Sequence, residues 1–228
     1  MGDYRLYNGL IVPSRDADKI VRRRVLQADR AIKALPLFVE KWRVCVEAGG
    51  NWGLWPLRLA DMFETVYTFE PDHACFTALV NNCRHKPNVV AFQAALGYAR
   101  ALVGMRHDDD TTGNQNVEGD GIYPVFQIDS LGLPVCDLIY LDIEGMEIDA
   151  LIGATATILR CHPIVIFEVT RKLDPTNRTE AYMRKYGYFK LGSIGRDLVM
   201  GPEAPQGDFG IKNYDFNEKG EMVEAIAC

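Results

Sequence analysis

Acidic residues end four of the most apolar runs in this sequence, and their side chains are the ones best suited to chemistry. The acids that close these runs are Glu47, Glu70, Asp142 with Glu144, and Glu168. A carboxylate next to a buried run is costly unless a cation or hydrogen-bond donors compensate its charge. The carboxyl ends of parallel strands meet at one edge of a sheet, where ligands of α/β proteins bind. We therefore expect the four strand ends to form one site for a cationic or hydroxyl-bearing ligand.

The first of these runs, Val44–Glu47, leads into a turn dense in small residues and then into a helical pattern. Such a strand–turn–helix unit commonly holds a nucleotide-like ligand, because glycines let the backbone approach the ligand closely. The spacing of Gly49, Gly50 and Gly53 is not Gly-x-Gly-x-x-Gly, and no Lys-Ser or Lys-Thr pair follows. A dinucleotide fingerprint and a phosphate loop therefore fit poorly. An acid for a cationic amine and backbone N–H groups for a carboxylate suit S-adenosylmethionine (SAM) better.

Two further acidic segments fit the same kind of ligand. Glu70 ends the second strand of the predicted unit, about 20 residues after the first glycine, where an acid accepts the two hydroxyls of a ribose. Asp142 and Glu144 alternate after a later buried run, and Gly145 permits a sharp turn into a helix. Asp142 is thereby predicted to lie near the reacting group.

Composition and charge restrict the classes of protein to which the chain can belong. Its 228 residues, 48% of them hydrophobic, are enough for one domain with a buried core. A net charge of −6 argues against a broad nucleic-acid interface, and we interpret Arg22–Arg24 as a solvated helix face. No apolar run reaches the ~20 residues of a membrane span, and no secretory signal is visible. The cysteines form no Cys-x-x-Cys pair, so we expect a cytoplasmic protein with reduced thiols.

Strands alternate with helices along most of the sequence. The predicted strands are Val44–Glu47, Val66–Phe69, Val89–Gln93, Asp137–Leu141, Ile164–Glu168, Tyr188–Leu191 and Leu198–Met200, and the predicted helices are Asp16 to about Trp42, Trp52–Phe63, Asp72–Arg84, Met146–Leu159 and Thr176–Tyr186. This order predicts an α/β fold with a Rossmann-like, mainly parallel sheet, late antiparallel strands and helices on both faces. Residues 1–43 are expected to form an N-terminal helical extension to a domain over 44–228. The polar segment His107–Gly121 is expected to be a lid or substrate loop.

On these motifs the sequence resembles the FkbM family of SAM-dependent methyltransferases. The similarity runs through four ordered blocks, which are Val46–Gly53, Phe69–Pro71 with Leu79–Asn82, Asp137–Glu147, and Pro163–Glu168. The resemblance implies a class I methyltransferase fold and O-methylation of hydroxyls on sugars or polyketide-type compounds, with S-adenosylhomocysteine as the second product. The chain departs from the family in having Glu47 where Asp is usual and Gly50 where Ala is usual.

The resemblance also implies roles for individual residues around the cofactor. The methionine part of SAM would be held by Glu47 and by the turn residues Gly49, Gly50, Asn51, Trp52 and Gly53. Glu70, followed by Pro71, would bind the ribose, and Gln93 and Ala94 would lie near the adenine. Asp142 and Glu144 would face both the cofactor and the acceptor.

The reaction chemistry leaves a base to be assigned and several alternatives open. An alcohol acceptor needs a general base near its proton, and the candidates are Asp142, Glu144 and His107. We predict a small-molecule or glycan hydroxyl acceptor, no membrane partner, a possible homodimer and no bound metal. In one alternative a divalent metal on Asp142, Glu144 and Glu168 orients the acceptor. In others the chain methylates nucleic acid, which its acidic charge disfavours, or binds SAM without turnover. A nicotinamide-dependent oxidoreductase fits poorly because the Gly-x-Gly-x-x-Gly motif is missing.

Overall fold

The computed structural model describes residues 4–108, 111–117, 119–169, 174–202, 212–216 and 222–224. The strands are β1 (Tyr4–Tyr7), β2 (Leu10–Pro13), β3 (Val44–Ala48), β4 (Thr65–Phe69), β5 (Val89–Phe92), β6 (Ala95–Leu96), β7 (Leu102–Val103), β8 (Met105–Asp108), β9 (Thr111–Val117), β10 (Tyr123–Phe126), β11 (Leu138–Leu141), β12 (Ile164–Glu168), β13 (Phe189–Ile194), β14 (Asp197–Gly201), β15 (Lys212–Phe216) and β16 (Met222–Glu224). The α-helices are α1 (Asp18–Ala34), α2 (Leu54–Leu59), α3 (His73–Cys83), α4 (Glu147–Ile152), α5 (Thr155–Cys161) and α6 (Arg178–Lys185), and 3₁₀ turns cover Leu35–Leu37 and Ile128–Leu131. None of the helices in these ranges combines the length and apolar character needed to cross a membrane.

A nine-stranded sheet in the order β16-β15-β13-β14-β12-β11-β3-β4-β5 forms the centre of the fold. The strands β5, β4, β3, β11 and β12 are parallel, and β14 runs antiparallel between β12 and β13. The strand order reverses between β3 and β11, which is the topological switch point where doubly wound sheets bind ligands. The predicted Rossmann-like α/β fold with late antiparallel strands is confirmed.

Both faces of the sheet are covered by apolar packing. On one face, Leu138 and Tyr140 of β11 pack in a cluster with Ala31 and Ala34 of α1. On the other face, Ile139 of the same strand packs in a cluster with residues of α4, α5 and α6. A strand buried on both sides explains why the run over β11 is continuously apolar rather than alternating.

The N-terminal residues differ from the predicted helical extension in two ways. An antiparallel hairpin of β1 and β2 precedes the helix, and its turn contains Asn8 and Gly9, both at positive φ. An Asn-Gly pair between apolar runs is a strong hairpin signal that the helical interpretation overlooked. The helix α1 then ends at Ala34 rather than near Trp42, because Pro36 lies in the 3₁₀ turn that follows it.

Three other segments also differ from their predicted form. The helix predicted over Met146–Leu159 is divided into α4 and α5 at Gly153, where a Cβ would lie 2.1 Å from a backbone oxygen of Gly97. The polar segment after His107 is in part an antiparallel hairpin of β8 and β9 rather than a loop. The tail adds β15 and β16 to the edge of the sheet.

Candidate active site

A cavity of about 680 Å³ opens at the carboxyl ends of the central strands, at the switch point between β3 and β11. Its floor is formed by the residues that follow β3, β4, β11 and β12, and α1 forms one wall. Met105 and Thr112 of the β8–β9 hairpin and the turn between β13 and β14 contribute the rim. Its volume lies within the range of roughly 300–1,000 Å³ that is typical of small-molecule sites.

The turn after β3 lies directly against the next strand of the sheet. A Cβ at Gly49, where φ is +92°, would lie 2.0 Å from the backbone oxygen of Asp142. At Gly50, a Cβ would lie 2.5 Å from Oγ1 of Thr68 and 2.6 Å from Cδ1 of Leu79. The two glycines therefore allow the turn to pack closely against β4, α3 and the residue that follows β11.

The amide N–H groups of this turn are already bonded inside the protein. The five donors and their acceptors are Gly49 and Gly50 to the oxygen of Phe69 (3.1 Å each), Asn51 to Oε2 of Glu70 (2.8 Å), Trp52 to Oδ1 of Asn51 (2.9 Å), and Gly53 to the oxygen of Gly50 (2.8 Å). Contact of these N–H groups with the carboxylate of a ligand stays a prediction, and in this arrangement each already has an acceptor within the protein. The sequence could not reveal this, because each acceptor is fixed only by the packing of β3 against β4 and by the turn itself.

Glu70 lies at the edge of the cavity and is 5% exposed. Its Oε2 accepts the N–H of Asn51 and its Oε1 accepts the N–H of Asp72, each at 2.8 Å. Burial raises the pKa of Glu70 to about 7, and the two N–H donors oppose that shift. Each carboxylate oxygen retains a second lone pair, so both can still accept a hydroxyl from a ligand.

Glu47 is 1% exposed and lies behind the turn, outside the lining of the cavity. The hydroxyl of Thr68 donates to its Oε2, and burial raises the pKa of Glu47 to about 8. The resemblance implied that Glu47 contacts the ligand directly, but in this position the side chain of Glu47 does not line the cavity. A Cβ at Gly50 would lie 3.6 Å from Oε2 of Glu47 and closer still to Thr68.

The other predicted contact residues divide between the cavity and its surroundings. Pro71 and Ala94 line the cavity, whereas Gln93 does not, and its Nε2 lies 3.5 Å from the oxygen of Pro71. Trp52 also lines the cavity, but at 1% exposure it packs mainly in a cluster with residues of β2 and α1. Gly53 lies outside the lining, where a Cβ would meet Cα of Leu79 at 2.9 Å.

A strained turn after β11 presents Glu144 to the cavity. Glu144 has φ +51° and Gly145 has φ +103°. The carboxylate of Glu147 holds this shape by accepting the N–H of Ile143 at 3.2 Å and that of Gly145 at 3.0 Å. A non-glycine residue at positive φ costs about 1–3 kcal/mol, and such strain clusters at functional sites.

Three carboxylates converge on the cavity floor. Oxygens of Asp142, Glu144 and Glu168 lie within 4.8 Å of one another. Asp142 faces the open cavity, and burial at its floor together with the nearby acids raises its pKa well above the usual range. Burial and the charges of Glu168 and Glu147 raise the pKa of Glu144 to about 7. This arrangement can stabilise a cationic ligand and accept a proton near neutral pH.

A fourth acid and two partners surround this group. The hydroxyl of Tyr140 donates to Asp197, whose pKa burial raises to about 6. Arg196, in the turn between β13 and β14, forms an ion pair with Glu168 at 2.6 Å. Hard oxygen ligands at such spacing are of the type that binds Mg²⁺ or Ca²⁺. Among the described residues, Asp142, Glu144 and Glu168 on the cavity floor are thus the group that could hold a divalent cation.

Two features of the cavity were missed by the sequence analysis. Arg23, Arg24 and Arg30 of α1 line the wall, whereas Arg22 lies outside the lining. Arg22 and Arg23 are exposed, so the interpretation of the triplet as a solvated face is wrong only for the partly buried Arg24. In the sequence, the helical spacing of these long arginine side chains was the feature that could have indicated this wall. The side chain of His107, a candidate base, lies outside the described part of the structure.

The second missed feature is a buried network that fastens the β8–β9 hairpin over the rim. Thr112 donates its N–H to Asp16 at 2.8 Å and its hydroxyl is 3.0 Å from Oδ1 of Asn51. Arg24 donates to Asp16 and to the hydroxyl of Thr112, each at 2.7 Å. Asp16 is fully buried and Thr112 is 3% exposed. The hairpin is therefore connected both to the N-terminal segment and to the turn after β3.

The strand order, the tight turn after β3 and the acids at the strand ends define an α/β enzyme of the class I methyltransferase type. The sequence model of one protein family, the methyltransferase FkbM domain, matches residues 47–190 of this chain. The chain belongs to the FkbM family of methyltransferases, a class of enzymes that use SAM. No curated protein matches the sequence.

Several solved structures are similar to this chain at low sequence identity. A methyltransferase FkbM from Methylobacillus flagellatus KT is 18% identical over 81% of this chain, with a TM-score of 0.48, and the chain covers 59% of the length of that protein. A precorrin-6y C5,15-methyltransferase from Geobacter metallireducens GS-15 is 12% identical over 88% of this chain and 94% of its own, with a TM-score of 0.46. A putative methyltransferase from Streptococcus mutans, in complex with S-adenosylhomocysteine, is 10% identical over 76% of this chain and 94% of its own, with a TM-score of 0.46.

The buried acid behind the turn makes stability depend on pH. The folded protein holds a proton on Glu47 up to about pH 8, whereas an unfolded chain releases it near 4.5. Because the folded state binds more protons between these values, the free energy of unfolding falls as pH rises. From pH 6.5 to 8 we expect Glu47 to contribute a fall of about 2 kcal/mol, at about 1.4 kcal/mol for each pH unit.

Denaturant unfolding of the wild type and of Glu47→Gln at pH 6.5, 7.25 and 8 measures this effect. Glutamine keeps an acceptor for Thr68 and carries no titrating proton, so the variant should show a flatter dependence and an unchanged fold. Glu64→Gln, at an exposed site, is the control. Equal slopes in wild type and Glu47→Gln would show that Glu47 is ionised in the folded state.

Proposed function

We propose that this chain transfers the methyl group of SAM to a hydroxyl oxygen of a small molecule or glycan. The observation that carries the proposal is the convergence of Asp142 and Glu144 on the floor of a cavity that also contains the turn after β3 and Glu70. Glu144, whose pKa burial and neighbouring acids raise to about 7, is the proposed proton acceptor. A base is most effective when its pKa is close to the operating pH.

The residues around the turn fit SAM as the cofactor. Gly49 and Gly50 let the turn lie directly against Asp142, Thr68 and Leu79, and the unused lone pairs of Glu70 suit the two hydroxyls of a ribose. Ala94, Phe69 and the residues beside them give that end of the cavity an apolar lining for an adenine. When bound, SAM supplies an already activated methyl group. The protein then contributes positioning and exclusion of water.

The acids on the floor would act on the two reactants in different ways. Asp142 faces the cavity, and a cationic sulfonium bound there would favour the ionised form of its carboxyl. Glu144 would accept the proton of the acceptor hydroxyl as the oxygen–carbon bond forms and the methyl–sulfur bond of the cofactor breaks, which would leave S-adenosylhomocysteine. The β8–β9 hairpin, fastened by Thr112, would shield both reactants from water.

Methyl transfer from SAM labelled with carbon-13 in its methyl group tests the proposal. The purified protein is incubated with the labelled cofactor and a small-molecule extract, and the products are examined by carbon-13 NMR. A new signal in the methoxy region supports O-methylation, whereas label on nitrogen or sulfur, or on added RNA, contradicts it. The same reaction with EDTA, and with EDTA followed by Mg²⁺, tests the floor acids as a metal site. We expect no loss on chelation.

A further inference from the structure

Two polar side chains of α1, those of Arg23 and Gln27, stand side by side in the wall of the cavity. Both line it and both are exposed. They are four residues apart on the helix, so their Cβ atoms are about 5–6 Å from each other and their side chains project in the same direction. A guanidinium and an amide, both hydrogen-bond donors, can therefore reach one ligand group together.

Neither of these side chains forms a hydrogen bond or an ion pair with any other residue in the described part of the chain. Carboxylates that line the same cavity are those of Glu70, Asp142, Glu144, Glu168 and Asp197. Arg196, also in the lining, pairs with Glu168 at 2.6 Å, whereas Arg23 pairs with none of these acids. All five N–H donors of Arg23 thus remain for a ligand.

Arg23 is directed away from the turn after β3, around which the cofactor is proposed to lie. The next residue, Arg24, donates to Asp16 and to the hydroxyl of Thr112, and that hydroxyl lies 3.0 Å from Oδ1 of Asn51 in the turn. Successive residues of an α-helix project about 100° apart, because one turn has 3.6 residues. Arg23 therefore faces a part of the cavity that is free for the methyl acceptor.

An anionic group is the ligand that suits this pair of donors. A guanidinium presents a planar fork that bonds two oxygens of a carboxylate or phosphate at once, and an amide N–H can add a further bond. The acids on the cavity floor would repel the same anion. A compound with an anionic group at the α1 wall and a hydroxyl at Glu144 satisfies both surfaces.

We infer that Arg23 and Gln27 bind an anionic group, a carboxylate or a phosphate, of the hydroxyl compound that accepts the methyl group. The inference rests on the proposed function and narrows it, because the acceptor is then an acidic small molecule or glycan and not a neutral one. Both residues would hold the acceptor away from its reacting hydroxyl. Their replacement should therefore raise KM and leave kcat nearly unchanged.

Separation of the acceptor pool by charge tests this inference. A small-molecule extract is divided on an anion-exchange column at pH 8 into a retained, anionic fraction and an unretained fraction. Each is incubated with the protein and methyl-labelled SAM, and the carbon-13 methoxy signal is followed by NMR. We expect this signal from the retained fraction alone. Alkaline phosphatase then distinguishes the two anions, since it removes a phosphate monoester, and with it the signal, but spares a carboxylate.

Replacement of the two donors measures their contribution. With a limiting amount of the retained fraction, Arg23→Gln should lower the initial rate at least about tenfold, the loss typical of a charged hydrogen bond. Gln27→Ala should lower it by about threefold, because an uncharged bond is lost. Both differences from the wild type should shrink as the fraction is concentrated. Binding of S-adenosylhomocysteine, measured by calorimetry, should be unchanged in both variants.

Arg22→Gln is the matched control, since Arg22 lies on the same helix, is exposed and does not line the cavity. It should behave as the wild type in each assay. A methoxy signal mainly from the unretained fraction, or an unchanged rate for Arg23→Gln with limiting acceptor, would overturn the inference. Weakened binding of S-adenosylhomocysteine by Arg23→Gln would also overturn it, because Arg23 would then contact the cofactor. No methoxy signal from either fraction would instead overturn the proposed function.

Discussion

Replacing Glu144 with glutamine should lower the rate of methyl transfer by at least about 100-fold, the usual contribution of a general base. Glutamine keeps the size of the side chain but cannot accept the proton of the acceptor. The wild-type rate should rise with pH through about 7, because the carboxylate must be ionised to act and its pKa is raised to about 7. The variant should lose this rise. Transfer of the carbon-13 methyl group, measured from pH 5.5 to 8.5, provides both readouts.

Two controls keep this prediction specific to the chemical step. Binding of S-adenosylhomocysteine by Glu144→Gln should stay within a few-fold of wild type, because the strained turn is held by Glu147 and not by the carboxylate of Glu144. Glu64→Gln, at an exposed position, should leave the rate and its pH dependence unchanged. An unaltered pH profile in Glu144→Gln would assign the proton to another group, and Asp142 would then be the next residue to replace.

The second large effect is expected from Gly49→Ala. The new Cβ would lie 2.0 Å from the backbone oxygen of Asp142, at a residue whose φ is +92°. Neither atom can move without separating the turn from β11, so overpacking and backbone strain add. We expect a loss of about 3–4 kcal/mol of stability and loss of cofactor binding. Denaturant unfolding and calorimetry measure the two effects.

Gly132→Ala is the matched control for the strain component. Gly132 also has positive φ, at +61°, but a Cβ there would have nothing within 4 Å. It should cost only about 1 kcal/mol, because backbone strain is the single penalty. If Gly49→Ala were no less stable than Gly132→Ala, the close approach of the turn to Asp142 would be disproved.

Much of the fold followed from local patterns, because apolar runs and turn residues act over short distances. The helix predicted over Asp72–Arg84 is present as α3, and the side chain of Asp72 caps its start by accepting the N–H of Cys75 at 2.8 Å. The sequence did not show towards which face of the sheet the side chain of Glu47 points. This residue ends a strand that is buried on both faces, so its polarity does not indicate which face it joins.

The part of the site that the sequence did not indicate depends on contacts between distant segments. Thr112 and Asp16 are 96 residues apart, and neither belongs to a motif. The sequence showed that α1 carries several arginines, but it did not show where they lie in the fold. Only the packing of α1 beside the turn after β3 turns them from surface residues into a wall of the cavity.

Binding of S-adenosylhomocysteine to the wild type and to Glu70→Ala, by titration calorimetry at pH 8, tests the central claim most directly. At that pH Glu70, with its pKa near 7, is largely ionised. Wild-type binding that weakens at least about 30-fold in Glu70→Ala, as loss of charged hydrogen bonds predicts, would support the cavity as the cofactor site. Glu64→Ala should bind as the wild type does. No binding by a folded wild type, or equal binding by Glu70→Ala, would contradict the assignment of this cavity to SAM.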